Sequence, residues 1–373
     1  MLYLDTAASY PILPEVRQQL MNTFESTYAN SASSHKLGEE SATAINKVRE
    51  LLADSIGAYA SEIIFTSGAT ESNNIALKSL LLGKELPENK KHIITSQIEH
   101  KCIFAICDYL ENIGYEITYL RPNEHGIITT TAVNDAITEQ TALVSIMHVN
   151  NELGTINPIG EIGEICFNNN VLFHSDAAQS YGKLEIDVDD LNVDIMSFSA
   201  HKIAGPKGIG ALYIRDLRKK HLLPVIHGAG QEEGLRGGTV ATPLILGFGT
   251  AIETFPAHYD NFKKIMAKQH LITMLDQNSI PYQINGGTDV LAHCISLTLP
   301  STDVSLLIRD NENEFCLAQG SACSSKEIEA SHVLTALGLT RELADCTLRI
   351  SFPLDIELLQ INKLVQAIKK ATK

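Results

Sequence analysis

Residues 194–214 read DIMSFSAHKIAGPKGIGALYI, and this stretch decides the fold. Residues 194–198 and 209–214 have the apolar, β-rich composition of buried strands, and a turn rich in glycine and proline separates them. Lys202 stands between the end of the first strand and that turn. Taken alone, it would be a surface lysine whose stem covers apolar neighbours. The stretch therefore predicts a strand, a turn with an unusual lysine, and a second strand.

The same alternation extends outward from this stretch over the first two thirds of the chain. Helical patterns recur between apolar, β-rich runs, and Gly57 ends the first of these patterns. The predicted strands are 63–66, 92–95, 116–120, 143–149 and 171–174, and the predicted helices are 39–56, 71–82 and 101–112. This order is typical of an α/β core, in which a mostly parallel central sheet is flanked by helices.

After about residue 255 the composition changes. Helices are predicted at 260–277, 304–310, 332–337 and 355–371, with strands at 294–299 and 347–352. These elements indicate a smaller α+β domain. We therefore assign residues 15–255 to a large domain, and residues 1–14 with 256–373 to a small one.

Charge and hydropathy exclude several classes of protein. Of the 373 residues, 29 are basic and 44 are acidic, which gives a net charge of −15. A nucleic acid or an anionic membrane is therefore not an expected partner. The first residues lack a basic segment followed by an apolar one, and no apolar run reaches the roughly 18 residues of a membrane span. These features predict a cytoplasmic location.

The seven cysteines form neither a disulfide framework nor a zinc motif, because their number is odd and no C-x-x-C pair occurs. No metal site is predicted. Cys102, Cys107 and Cys166 lie in apolar runs and are expected to be small buried side chains. Cys323 differs, because it lies in residues 319–325, QGSACSS, where nothing predicts burial.

Two further features belong with Lys202. Asp176 follows a predicted strand, and ligands bind at the carboxyl ends of strands in α/β sheets, although an aspartate there also caps turns. Residues 67–70, Ser-Gly-Ala-Thr, join a strand to a helix and leave backbone N–H groups free for an anion, unless they form a turn without a ligand. A lysine, a carboxylate and a phosphate cradle together are what pyridoxal 5'-phosphate requires.

Eight strings spread along the chain resemble one family, the cysteine desulfurases of the class V aminotransferase group. They are YLDTAASYP, FTSGATESNN, SQIEHKC, MHVNNELG, HSDAAQSYGK, SFSAHKIAGPKGIG, GLRGGT and GSACSS. The small polar run around Cys323 is similar to that of the long-loop group. The resemblance implies the fold of a type I pyridoxal-phosphate-dependent transferase.

The resemblance also implies roles for individual residues. Lys202 would form the Schiff base, Asp176 would pair with the pyridine nitrogen, and His100 would stack on the ring. Gln179 would bond the phenolic oxygen, and Asn151 and Arg349 would bind the substrate carboxylate. The phosphate would be held by Gly68, Ala69, Thr70, Ser199 and His201, and by Thr239 of the partner subunit in a homodimer. The residues alone leave two alternatives open, a structural histidine at position 100 and a structural ion pair at Arg349.

The implied reaction converts L-cysteine into L-alanine and a persulfide on Cys323, which a protein sulfur acceptor receives. The acceptor would serve iron–sulfur cluster assembly or the thiolation of tRNA or DNA. Selenocysteine lyase or another class V enzyme is the alternative. A non-enzymatic subunit is disfavoured because Lys202, Asp176 and Cys323 are all present.

The sequence departs from the family in places. Residues 30–35 lack the family's proline, Glu232 and Glu233 precede the GLRGGT string, and Ser-Phe-Pro follows Arg349. These changes concern loop geometry and dimer contacts. Housekeeping members dock their scaffold through a segment beyond the final helix. Because this sequence stops at Lys373, we expect a dedicated acceptor.

Overall fold

The computed structural model describes residues 1–83, 86–287, 290–319 and 330–372. The strands are β1 Leu2–Tyr3, β2 Ile63–Thr66, β3 His92–Ser96, β4 Glu116–Leu120, β5 Thr141–Ser145, β6 Leu172–Asp176, β7 Ile195–Ser199, β8 Gly210–Ile214, β9 Gln283–Asn285, β10 Cys294–Thr298, β11 Phe315–Cys316, β12 Ala318–Gln319 and β13 Thr347–Ser351. The helices are α1 Pro14–Ser26, α2 Lys36–Asp54, α3 Ala69–Leu81, α4 Lys101–Asn112, α5 Thr130–Ala136, α6 Ile159–Asn168, α7 Thr242–His258, α8 Asn261–Gln277, α9 Val304–Asp310, α10 His332–Ala336, α11 Arg341–Asp345 and α12 Leu358–Ala371.

The central sheet has the strand order β2-β8-β7-β6-β5-β3-β4. Strands β7, β6, β5, β3 and β4 pair in parallel, whereas β8 is antiparallel to both of its neighbours. Two antiparallel pairings in succession make β2 parallel to β7, so the carboxyl ends of β2, β6 and β7 meet at one edge. The predicted α/β fold with a mostly parallel sheet is confirmed.

Helices cover both faces of this sheet. Alternate residues of a strand point to opposite faces. Accordingly, Phe65 and Tyr213 pack into one core with α1, α2, α6 and α7, while Ile64 and Leu212 pack into another with α3 and α4. Because both faces are buried, strands such as β5 and β7 are buried throughout.

A second, antiparallel sheet has the order β12-β13-β10-β9. Its core is formed with α8, α9 and α12, and it includes Leu4 from the start of the chain. Strand β1 pairs with β11, and Asp5 bridges to Ser351. The predicted boundary at residue 255 falls inside α7, which continues to His258. The division into domains stays a prediction.

Several element ends differ from those predicted, and two of the differences affect the site. The strand predicted at 143–149 ends at Ser145. The N–H groups of Ile146 and His148 still bond to His174 and Asp176 of β6, but Val149 makes only an isolated bridge with Ile156. Strand β6 continues to Asp176, which therefore ends the strand instead of following it. Within the described residues, no helix is long and apolar enough to cross a membrane.

Candidate active site

A cavity of about 630 Å³ opens at the edge where β2, β6 and β7 end. Eleven of the thirteen residues predicted for the site line it: Gly68, Ala69, Thr70, His100, Asn151, Asp176, Gln179, Ser199, His201, Lys202 and Arg349. Thr239 does not line it, and Cys323 lies outside the described residues. The fold thus brings together in one site residues up to 281 positions apart, from Gly68 to Arg349.

Lys202 lies on a short 3-10 turn, Ala200–Ile203, directly after β7. Its Nζ donates to the carbonyl oxygens of Ala7, at 2.6 Å, and Ala8, at 3.0 Å. Burial lowers the pKa of this lysine to about 8, the positive charge of Arg349 adds to the effect, and Asp176 opposes it. Lys202 is therefore not a surface lysine. A neutral amine, which is the nucleophilic form, is accessible near neutral pH.

Asp176 is buried at the end of β6 and is held by two donors. Its Oδ1 accepts from the backbone N–H of Ala178 at 2.9 Å, and its Oδ2 accepts from Asn73 Nδ2 at 2.8 Å. The turn-capping role left open by the sequence is therefore present, and the carboxylate also faces the cavity. Asn73, from the string FTSGATESNN, was not predicted to take part.

The turn at residues 67–70 opens α3, whose helical residues begin at Ala69. Gly68 has φ +148°, and a Cβ built there would lie 3.6 Å from Ser199 Oγ, so the turn approaches the end of β7 closely. His201 contributes a buried Nδ1 without a partner, and burial lowers the pKa of His201 to about 4, with Lys202 and Lys207 adding to the effect. The N–H groups of Ser67 and Gly68 bond to Glu71 and Thr66, so the N–H groups at the start of α3, at Ala69 and Thr70, are the ones left to meet an anion with the Ser199 hydroxyl and the His201 imidazole.

His100 is the N-cap of α4, where its side chain accepts from the backbone N–H of Cys102 at 3.2 Å. Desolvation lowers the pKa of His100, and the charges of Lys202 and Lys101 add to this, while Asp176 opposes it. Cys102 itself is half-buried and lines the cavity, so the prediction of a buried apolar side chain is wrong there. The reason is its place in the first turn of α4. Cys107 and Cys166 are buried, as predicted.

Arg349, on β13, crosses from the second sheet to the cavity. Its Nη2 pairs with Asp5 Oδ1 at 2.8 Å, and its Nη1 donates to the backbone oxygen of Asn151 at 3.0 Å. The alternative of a structural ion pair is thus present, but the pair itself forms part of the cavity wall. Three buried atoms at this wall have no hydrogen-bond partner among the described residues, namely Arg349 Nε, Asn151 Oδ1 and Gln179 Oε1. Buried polar atoms left unpaired at a cavity indicate a polar ligand.

The GLRGGT string is tied to the phosphate cradle by a contact that sequence reasoning missed. Arg236 Nε donates to Glu71 Oε1 at 2.8 Å, and Glu71 Oε2 accepts from the Ser67 N–H at 2.8 Å. Thr239, three residues further, is exposed on this chain. Its expected contribution to a partner's site stays a prediction.

The described residues on either side of 320–329 both reach the site. Ala318 of β12 is the register partner of Arg349. On the other side, Ser331 Oγ donates to Glu152 Oε2, and His332 Nε2 lies 2.9 Å from the backbone oxygen of Glu99. Asn151 and His100, which line the cavity, are the chain neighbours of these two glutamates, so the described residues Ala318, Ser331 and His332 all lie beside the cavity.

This set of residues fits pyridoxal 5'-phosphate. An amine with a lowered pKa, a buried carboxylate held by N–H donors and an anion cradle lie around one cavity. The unpaired Gln179 Oε1 and His201 Nδ1 provide further polar atoms for the cofactor's substituents. The fold and this site together define a pyridoxal-phosphate type of enzyme.

Comparison with known proteins agrees with this class of enzyme. The sequence matches the aminotransferase class-V family over residues 2–364, and the chain belongs to that family.

Proteins similar to this chain include several named cysteine desulfurases. The mitosomal cysteine desulfurase of Trachipleistophora hominis is 42% identical over an alignment of 383 residues including gaps, and the alignment covers 99% of this chain and 86% of the relative. Cysteine desulfurase IscS of Rickettsia typhi is 42% identical, with 93% of this chain and 85% of the relative covered. A solved structure of SspA in complex with cysteine is 44% identical with a TM-score of 0.85, covering 95% of this chain and 99% of that one.

Proposed function

We propose that this protein is a pyridoxal-phosphate-dependent cysteine desulfurase that converts L-cysteine into L-alanine and holds the sulfur as a persulfide on Cys323. The observation that carries the proposal is the convergence of Lys202, Asp176 and the 67–70 turn on one cavity. Relatives that are 42% identical and bear this name support it. Cys323 supports the sulfur-carrying step, since it lies in a run of small polar residues.

Four groups of residues would hold the cofactor. Lys202 would bond it covalently, Asp176 would pair with its ring nitrogen, and Gln179 would bond its phenolic oxygen. The phosphate would bind to the cradle formed by Gly68, Ala69, Thr70, Ser199 and His201. When bound, pyridoxal phosphate supplies an electron sink for the bonds at the substrate's α-carbon.

The chain's own residues orient the substrate and move its protons. Arg349 binds the substrate carboxylate, with Nη2 fixed by Asp5 and Nη1 by Asn151, so that its unpaired Nε is left for the ligand. Lys202 Nζ would be released when the substrate amine takes its place, and it would then take the α-proton, because its lowered pKa makes the neutral amine available near pH 7. The Ala7 and Ala8 carbonyls stabilise the resulting ammonium.

Cys323 takes the sulfur. Its thiolate Sγ bonds to the substrate sulfur while the substrate's carbon–sulfur bond breaks, and the electron pair of that bond stays on carbon, where a proton completes L-alanine. The persulfide then passes to a thiol of a protein acceptor, which exchanges one sulfur–sulfur bond for another. Homodimer formation, with Thr239 completing the partner's cradle, belongs to the same proposal. So does a cytoplasmic location, although several relatives are mitosomal or mitochondrial.

The test begins with the wild-type protein reconstituted with pyridoxal phosphate and given L-cysteine. We expect a yellow protein, L-alanine as product, and loss of both colour and product in Lys202→Ala. Lys183→Met is the matched control, because Lys183 is another lysine of low pKa, bonded to the Gln179 backbone oxygen, that does not line the cavity. It should keep the colour. A colourless wild type, or one that forms no alanine, would overturn the proposal, and much faster turnover of L-selenocysteine would assign the lyase alternative.

A further inference from the structure

The imidazole of His100 is fixed by a donor that leaves no choice of tautomer. Its Nδ1 accepts from the backbone N–H of Cys102 at 3.2 Å as the N-cap of α4. A backbone N–H can only donate, so Nδ1 must carry a lone pair and the ring proton of neutral His100 must lie on Nε2.

The Cys102 thiol meets the same nitrogen. Its Sγ lies 3.0 Å from His100 Nδ1. Because Nδ1 is an acceptor, the thiol is the donor in this contact. Burial raises the pKa of Cys102 to about 12, with the charge of Asp176 adding to the effect, so the thiol keeps its proton at neutral pH. His100 Nδ1 therefore receives two donors from one residue.

Asn73 connects this thiol to Asp176. The side-chain amide of Asn73 must turn its Nδ2 toward Asp176 Oδ2, 2.8 Å away, because the carboxylate only accepts. The second N–H of the same Nδ2 reaches Cys102 Sγ at 3.3 Å. A continuous chain of hydrogen bonds thus runs from Asp176 through Asn73 and Cys102 to His100.

We propose that Cys102 is a positioning residue for His100, and that its thiol, held by Asn73, stabilises the neutral imidazole with its proton on Nε2. This inference rests on the proposed function, with His100 stacked on the cofactor ring as the family resemblance implies. In that reaction His100 exchanges protons with ligands only through Nε2. Asn73 links His100, through Cys102, to Asp176, the carboxylate proposed to pair with the ring nitrogen.

The proposal has a consequence for pH. Protonation of His100 requires a proton on Nδ1 and breaks both accepted bonds. Three charged groups also face the imidazole: Asp176 on β6 favours the imidazolium, while Lys202 after β7 and Lys101 on α4 disfavour it. None of these charges changes when Cys102 is replaced by alanine. The loss of one weak neutral hydrogen bond should therefore raise the pKa of His100 by about 0.5 pH unit.

The test uses ¹⁵N NMR of histidine-labelled protein, both cofactor-free and loaded, with His100→Gln to identify the resonance. We expect the wild type to show an unprotonated Nδ1 and a protonated Nε2. Cys102→Ala should keep this tautomer, which the backbone N–H fixes, but titrate about 0.5 pH unit higher. Cys102→Ser should restore the wild-type midpoint, because a hydroxyl also donates. In the loaded enzyme, the acid limb of kcat/KM for alanine formation should move by the same amount.

Controls separate this effect from general loss of a thiol. Cys166→Ala removes a buried thiol on α6 and should leave the His100 resonance unchanged. A protonated Nδ1 in the wild type overturns the proposal without any variant. So does a Cys102→Ala protein with the wild-type midpoint, or a Cys102→Ser protein whose midpoint stays raised like that of Cys102→Ala. Failure of the proposed function would appear differently, as absence of alanine formation with the NMR signature intact.

Discussion

Replacing Asp176 with asparagine tests the role of this carboxylate most directly, because the two side chains have nearly the same shape. In the wild type, both carboxylate oxygens accept hydrogen bonds, one from the Ala178 N–H and one from Asn73 Nδ2. An amide has only one oxygen. Asp176→Asn therefore loses one of these bonds and also loses the charge that would hold the cofactor's ring nitrogen protonated.

The size of the effect follows from the charge. A hydrogen bond to a charged group contributes about 1.5–3 kcal/mol, and each 1.36 kcal/mol of barrier is a factor of ten in rate. If the bond is fully used in the transition state, alanine formation at saturating cofactor should fall about 10- to 150-fold. The turn that Asp176 caps should weaken as well, so the free energy of unfolding is measured alongside.

Asp194→Asn is the matched control. Asp194 also accepts a bond from a backbone N–H, that of Phe173 at 2.9 Å, but it does not line the cavity. It should lose stability without losing activity per folded molecule. The assay is the rate of L-alanine release from L-cysteine with cofactor occupancy set by titration. A loss below twofold in Asp176→Asn would refute the reasoning and leave Asp176 as a turn cap only.

Three further predictions address other parts of the chain. Cys323→Ser should still change the cofactor's absorbance on addition of L-cysteine, yet release no alanine, and alanine release at the wild-type rate would assign another nucleophile. Gly163→Ala should destabilise the protein by about 1–3 kcal/mol in urea unfolding, since its Cβ would lie 2.1 Å from Leu191 O, whereas Gly160→Ala on the same helix, with its nearest contact at 3.5 Å, should cost nothing. Burial lowers the pKa of His174 from 6.5 to about 4, so the unfolded chain binds the extra proton in that window and stability should fall as pH drops from 6.5 to 4. His174→Gln should flatten this slope, and an unchanged slope would contradict it.

Much of the fold followed from local patterns. Strand 63–66, strand 116–120 and helix 101–112 have the predicted bounds, because apolar runs and period-3.6 stripes are local signals. Strand 143–149 was too long, since an apolar run does not reveal where the chain turns off the sheet toward Asn151. The helix at residue 36 also began early, because His35 caps it by accepting from the Gly38 N–H.

Most of the site was predictable from its strings, and the rest depends on tertiary contacts that leave no local signal. The carbonyls of Ala7 and Ala8 hold Lys202, and any residue type supplies a carbonyl. Glu99 lies within the string SQIEHKC, yet burial raises its pKa to about 8, and only its tertiary surroundings determine that. Cys102 reads as apolar in sequence because its polar contacts come from α3 and from its own helix cap.

The attachment of the chain's first residues has a consequence for biosynthesis. Leu2 pairs with Phe315, and Asp5 bonds Arg349, 344 positions later. At about 5–20 residues per second, a ribosome needs roughly 17–70 s to make that stretch. Once residue 202 has been made, Ala7 and Ala8 can contact Lys202, but β1 and Asp5 still wait for their partners, β11 and Arg349. The nascent chain therefore cannot complete the cavity wall at Arg349 until that residue has been made, and among the residues that line the cavity Arg349 is the last to be synthesised.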